Sequence, residues 1–185
     1  MDTSSIRIET ERLILRPPAP EDFESWAAFA ADPEAMHHLG GVQVRSSAWR
    51  SFVGIAGSWQ MQGFAMFSVI EKLAGQWIGR IGPWMPEGWP GSEVGWSIAS
   101  KYWGRGYAKE ASVAAIEWSF EQLGWHEVIH TISPDNHASK ALAASLGSSY
   151  LRRGRLPAPI DLDVEIWGQT REQWRARNSS GESAC

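Results

Sequence analysis

Cysteine is nearly missing from this chain: there is one in 185 residues, Cys185, at the last position. That excludes an intrachain disulfide and a cysteine-based zinc site, and leaves a terminal thiol as a poor nucleophile candidate. Long apolar runs are missing as well. The clean apolar stretch Trp26 to Ala31 falls far short of the roughly 20 residues that span a bilayer. No leader-like apolar core opens the N-terminus, so the expectation is a cytoplasmic protein with no membrane partner. An excess of positive charge is also lacking. Seventeen Lys and Arg stand against 21 Asp and Glu, a net charge of -4, which argues against a general nucleic-acid binder. The one basic run, "LRRGR" at Leu151 to Arg155, is too short in an acidic chain and reads as a solvated strand end. There is no internal repeat and no low-complexity linker.

What is present fits one domain with a real core. Hydrophobic residues make up 43% and charged residues 21%, ordinary values for a globular protein. The division expected is a single domain over 1–177 and a small, polar, disordered tail over 178–185. Twelve tryptophans are the compositional oddity. Most suit the core, but Trp84 and Trp89 fall in a Pro/Gly-rich loop, where they either wall a pocket or pack for stability.

The elements alternate. Arg12 to Arg16 reads as a strand that Pro17, Pro18 and Pro20 end. Phe23, Trp26, Ala27 and Ala30 then repeat at helical spacing, with Pro20 as a helix opener and Pro33 as its end. A second helix from about Ser47 carries Trp49, Phe52, Val53, Ala56 and Trp59 as its apolar stripe and stops at Gly63. Phe64 to Ile70 and Trp77 to Ile81 read as a hairpin. Val94 to Ile98 alternates, placing Val94, Trp96 and Ile98 on one face and Glu93, Gly95 and Ser97 on the other. A helix from Tyr107 to Gln122 follows, then a strand at Val128 to Ile132, and a helix capped by Asp135 or Asn136 that runs to Gly147. Strands at Tyr150 to Arg153 and Val164 to Trp167 close the chain. This order predicts an α/β (α+β) fold, a mixed sheet with helices packed on it.

Between strand and helix lies "SKYWGRGYAKEA", Ser100 to Ala111. Gly104 and Gly106 let a ligand approach the main chain, and the N–H groups of the first helical turn together with the helix dipole favour an anion there. Arg105 and Lys109 add charge. The alternative is a tight connection that binds nothing. A Walker loop is absent. The dinucleotide fingerprint is disfavoured because Lys109 stands where a small residue is required.

The stretch "EVGWSIASKYWGRGYAKEA" resembles the core motif of the GNAT superfamily of N-acetyltransferases, whose Arg/Gln-x-x-Gly-x-Gly/Ala turn binds the pyrophosphate of acetyl-CoA. Trp103, Gly106 and Ala108 take the three motif places. Trp103 departs from the general pattern and is similar to the branch of ribosomal-protein alanine and serine N-acetyltransferases, where Trp-Gly-x-Gly-Tyr-Ala is usual. "ETERLILRPPAPEDFESW", "SPDNHASKALAASLG" and "DVEIWG" extend the resemblance over most of residues 9 to 170.

That resemblance implies a mostly antiparallel central sheet splayed at its central strands, with acetyl-CoA and an amine, a small molecule or a peptide N-terminus, as substrates. It implies that the main chain of Trp96, Ser97 and Ile98 holds the pantetheine arm, that Trp103, Gly104, Arg105, Gly106, Tyr107, Ala108 and Lys109 form the pyrophosphate turn, and that Asn136 and Ser139 sit beside the pantetheine and the sulfur. A homodimer is compatible with it. Many relatives protonate the thiolate with a helical tyrosine; here that place holds Ala143, and Ser139 is the nearest substitute or else a helix-surface hydroxyl. Glu93 is the candidate base, or else a solvated strand-end carboxylate. His130 alternates with Val128 and Ile132 and reads as a packed core histidine, while His37 and His38 fall in a loop. No metal is expected, since His126, His130 and His137 straddle a strand and a turn without ligand spacing. A non-catalytic acyl-CoA sensor of the same fold is the rival reading.

Overall fold

A computed structural model describes residues 5–182. Eight strands form one sheet: β1 (Ile8–Glu9), β2 (Leu13–Arg16), β3 (Phe67–Glu71), β4 (Gln76–Trp84), β5 (Glu93–Ile98), β6 (Glu127–Ile132), β7 (Ser149–Arg155) and β8 (Asp163–Thr170). Around them lie α1 (Phe23–Ala30), α2 (Pro33–Met36), α3 (Arg45–Gln62), α4 (Tyr107–Gln122), α5 (His137–Ser145) and α6 (Arg171–Glu182). The strand order is β1-β2-β3-β4-β5-β6-β8-β7.

All neighbouring strands are antiparallel except β5 and β6, which run parallel and share a single rung, Glu93 opposite Ile129. The Ile129 N–H reinforces it with a 2.9 Å bond to the Ser92 carbonyl. On its other side β5 pairs with β4 along its whole length, from Gly79 opposite Ile98 to Trp84 opposite Glu93. The sheet is therefore continuous on either side of the centre and splayed at β5 and β6, the architecture that the resemblance implies.

The core follows the apolar periods. Phe23, Trp26, Ala27 and Ala30 of α1 are buried, and Trp26 and Phe29 both meet Trp77 at 5.8 Å between ring centroids. Trp59 of α3, Phe67 of β3 and Trp118 of α4 form a second aromatic cluster, with Phe67 edge-on to Trp118 at 5.2 Å. Each large side chain so buried contributes about 1.5–3 kcal/mol.

Several expectations change. Pro33 does not simply end α1; it opens α2, because Asp32 caps it by accepting the Glu34 N–H at 3.0 Å and proline is tolerated in a first turn. The stripe of α3 is rotated. Ala48, Phe52, Ile55 and Trp59 are buried, whereas Trp49 is 48% and Val53 40% exposed; Trp49 stacks edge-on over Phe23 at the helix surface instead. The two-residue β1 was too short to leave a period in the sequence.

The helix α6 was not expected at all. One tryptophan docks it, Trp174, which is 2% exposed and donates its indole N–H to Glu117 of α4. That helix reaches Glu182, past Asn178, where a disordered tail was expected; the rest of that tail, 183–185, lies outside the described residues. The run Leu151 to Arg155 is mostly exposed in the edge strand β7, in keeping with a solvated strand end.

Candidate active site

The alternation of β5 and its full register with β4 set out one face of the sheet. Glu93, Gly95 and Ser97 stand opposite Trp84, Gly82 and Arg80 respectively. Glu93 sits on the rung where β5 and β6 meet, at the closed end of the splay. It is no solvated carboxylate: it is 5% exposed. One of its oxygens accepts the Thr131 N–H at 3.1 Å and the Thr131 hydroxyl at 2.9 Å. The other accepts the indole N–H of Trp89. Burial pushes its pKa up to about 7, with the three hydrogen bonds pulling the other way. A carboxylate balanced there is suited to exchanging a proton at neutral pH. Trp84 and Trp89, edge to face at 6.4 Å, stand beside it. Trp89 is thus a direct partner of the carboxylate, which loop composition alone could not show.

At the other end of β5 the chain passes through a 3-10 turn, Ser100–Tyr102, into the glycine turn. Gly104 and Gly106 have φ of 72° and 79°, and Gly106 caps α4; this left-handed conformation is why glycine occupies both places. Among the described residues no acceptor meets the N–H groups of Gly104 to Lys109. Six donors at a helix N-terminus are therefore open. The turn is tied to the sheet. Arg12 donates to the Arg105 carbonyl at 2.9 Å and to Glu110 at 2.7 Å, and lies over the Tyr107 ring at 4.7 Å. Thr10 and the Arg12 N–H also donate to Glu110. The Trp103 indole donates to the Ile98 carbonyl at 2.7 Å, which fixes the end of β5. Ala108 packs against the core, while Arg105 and Lys109 are exposed.

Across the splay, Asn136 caps α5 by accepting the Ser139 N–H at 3.0 Å. The Trp96 indole donates to the Ser139 hydroxyl at 3.2 Å, so the side chain of β5 reaches α5. Among the described residues nothing accepts the Ser139 proton. Ala143 is fully buried, and the tyrosine place offers no proton. His130 is a core histidine, as its alternation suggests: it is 1% exposed, and burial pushes its pKa down to about 4. Its neutral ring donates from Nδ1 to the Val94 carbonyl at 2.7 Å, leaving Nε2 to accept from Ser148 at 2.9 Å. His126, His130 and His137 do not come together. Instead His37, His38 and Asp135 do, with His38 Nδ1 3.5 Å from Asp135.

Two site residues escaped the sequence reading. Thr131, which orients Glu93, left no signal. Arg80 left one: it is the lone charge in the apolar strand run Trp77 to Ile81.

A family model for the acetyltransferase (GNAT) domain matches residues 12–149. The chain is 28% identical to an FsC-acetyl coenzyme A-N(2)-transacetylase of Aspergillus fumigatus over 90% of this chain and 77% of that one. Among solved structures, an acetyltransferase from Agrobacterium tumefaciens superposes with a TM-score of 0.78 at 31% identity, covering 90% of this chain and 95% of that one. A ribosomal-protein-S5-alanine acetyltransferase from Vibrio fischeri shares the fold, with a TM-score of 0.68 at 17% identity over 92% and 99% of the two chains.

Proposed function

The chain belongs to the GNAT acetyltransferase family, and on that premise we propose that it transfers the acetyl group of acetyl-CoA directly to a primary amine, with Glu93 as the base. The observation that carries this reading is the single rung between β5 and β6, with a buried carboxylate, its pKa raised by burial, standing at it. Acetyl-CoA is the family's co-substrate, and the residues present suit it. Six open N–H groups from Gly104 to Lys109 match a pyrophosphate. Beyond the rung at Glu93 no β6 residue pairs with Trp96 to Ile98, so that edge of β5, apart from the Ile98 carbonyl that Trp103 takes, suits the pantetheine arm.

The chemistry then needs little from the chain. Glu93, directly or through one water, takes a proton from the bound ammonium. The free amine attacks the thioester carbonyl, the C–N bond forms, the C–S bond breaks and the thiolate leaves. The nitrogen sheds its second proton as the C–S bond breaks, and the Ser139 hydroxyl, held from one side by Trp96 and with its own proton uncommitted, is the nearest group able to relay it, receiving that proton as it gives its own to the sulfur. Main-chain N–H groups of β5 polarise the thioester oxygen, and holding both substrates in line supplies much of the acceleration. Among the described residues no serine or cysteine is hydrogen-bonded to Glu93 to form an acyl-enzyme.

Calorimetric titration of the purified protein with acetyl-CoA, with NAD as control, tests the first half. Saturable binding that Gly106→Trp abolishes is expected; absence of binding to folded protein overturns the proposal. Acetylation of a panel of amines, followed by thiol release, tests the second half.

A further inference from the structure

We infer that Arg80 is the receptor for an anionic group on the acceptor, so that the amine this enzyme acetylates carries a carboxylate. The inference rests on the acetyl-transfer reading above. Arg80 lies in the middle of β4, opposite Ser68 of β3 on one side and Ser97 of β5 on the other. Its row, Arg80, Gly82 and Trp84, runs alongside Ser97, Gly95 and Glu93, so arginine and base share one face of the sheet. Four residues of β5 separate the level of Arg80 from that of Glu93, about 13 Å of strand.

The guanidinium carbon lies over the Trp26 ring, 4.7 Å from its centroid, a cation–π contact that restrains the head group. Its Nε is out of solvent and meets no acceptor. The side chain of Arg80 makes no hydrogen bond or ion pair with any of the described residues. The carboxylate that reaches this row, Asp22, is already committed. It takes two 2.8 Å bonds from Arg16, one of 2.9 Å from the Ala19 N–H and one of 2.7 Å from Ser68. Burial alone acts on the Arg80 charge, lowering its pKa to about 10, so it remains a cation.

Arg80 as a whole is only partly buried, but its Nε is sealed from water without an acceptor, and native proteins satisfy such buried donors. A planar fork with unused donors fits a carboxylate in two-point contact. Between Arg80 and Glu93 the two strands place a glycine pair, Gly82 opposite Gly95. The Cε of Met66, a flexible side chain, lies where a Cβ on Gly95 would fall. An acceptor can lie along this glycine stretch with its anion at Arg80 and its amine toward Glu93.

The test compares matched amines that differ only in charge: glycine, β-alanine, γ-aminobutyrate and glycylglycine, each beside its carboxamide. Wild type is expected to show a KM at least ten-fold lower for the acid of one pair. Arg80→Gln should raise that KM roughly 10- to 100-fold while leaving the carboxamide's kinetics nearly unchanged, and Arg80→Lys should restore part of the preference. Equal use of acids and amides, or a preference that survives Arg80→Gln, overturns the inference. An arginine held only for stability would alter both members of a pair alike.

Should no amine be acetylated although acetyl-CoA binds, the transfer reading fails on its own terms. Arg80 is then judged by 15N-arginine NMR with glutarate and γ-aminobutyrate as probes. A saturable shift of the Arg80 Nε signal, assigned with Arg80→Lys, supports the anion site. A signal unmoved at tens of millimolar overturns it.

Discussion

Replacing Glu93 by glutamine should cost activity and gain stability, and the gain should depend on pH. In the fold the Glu93 pKa rises from 4.5 to about 7, a difference equivalent to about 3 kcal/mol. Between these two values the folded protein holds a proton that the unfolded chain has released. Stability therefore falls as pH rises through that window, and the full penalty stands above pH 7. Glutamine removes the penalty. It also turns an N–H donor toward the Trp89 indole, which is itself a donor, and that costs about 1 kcal/mol.

Glu93→Gln is thus expected to be about 1–2 kcal/mol more stable than wild type at pH 8 and no more stable at pH 5, while kcat falls about 10²- to 10⁴-fold. His130 sharpens the measurement. Burial moves its pKa from 6.5 to about 4, so the unfolded chain takes up a proton that the folded chain refuses, and stability falls as pH drops through that window. In wild type the two slopes oppose each other between pH 4.5 and 6.5. In the glutamine variant only that of His130 remains, and the variant should lose stability steeply on acidification. Urea denaturation of both proteins at pH 5, 6.5 and 8 reads this directly. A stability difference between them that stays constant with pH refutes the assignment of an elevated pKa to Glu93.

Other outcomes follow from the same geometry. Thr131→Val removes one of the bonds that favour the ionised carboxylate, so the acidic limb of the rate profile should move up by roughly one pH unit. Gly106→Ala places a Cβ at φ 79°; thermal denaturation should show a loss of about 1 kcal/mol, with weaker acetyl-CoA binding by calorimetry. Arg12→Met cuts the tie between turn and sheet, and is expected to raise the acetyl-CoA dissociation constant several-fold with kcat little changed. Trp174→Ala should destabilise by about 3–5 kcal/mol in urea, since this buried indole anchors α6.

Most of the frame was legible because it rests on periods and punctuation. The face of α1, the alternation of β5, the glycine turn and the Asn136 cap are local patterns, and each stands where its spacing put it. What escaped depends on tertiary partners. The stripe of α3 turned because Trp49 found Phe23 at the surface, a choice that no helical period encodes. One anchored tryptophan was too little apolar signal to announce α6. Glu93 could be placed on its face from the alternation, but its burial comes from Thr131 and Trp89 on two other segments. Arg80 was visible as a charge among apolar residues, yet its want of a counter-ion appears only once Asp22 is seen to be engaged by Arg16.

The single rung at Glu93 has a consequence for cooperativity. An eight-stranded sheet with one shared rung at its centre reads as a five-stranded unit from β1 to β5 beside a three-stranded unit from β6 to β8, coupled through α4, α5, the Glu93 bonds to Thr131, the Ile129 bond to Ser92 and the His130 bond to Val94. Such units open with their own free energies. Amide hydrogen exchange should therefore sort the strands into two groups with different protection, the boundary lying at the splay. A molecule lodged between β5 and β6 touches both groups, and its binding energy would fuse them into one unfolding unit.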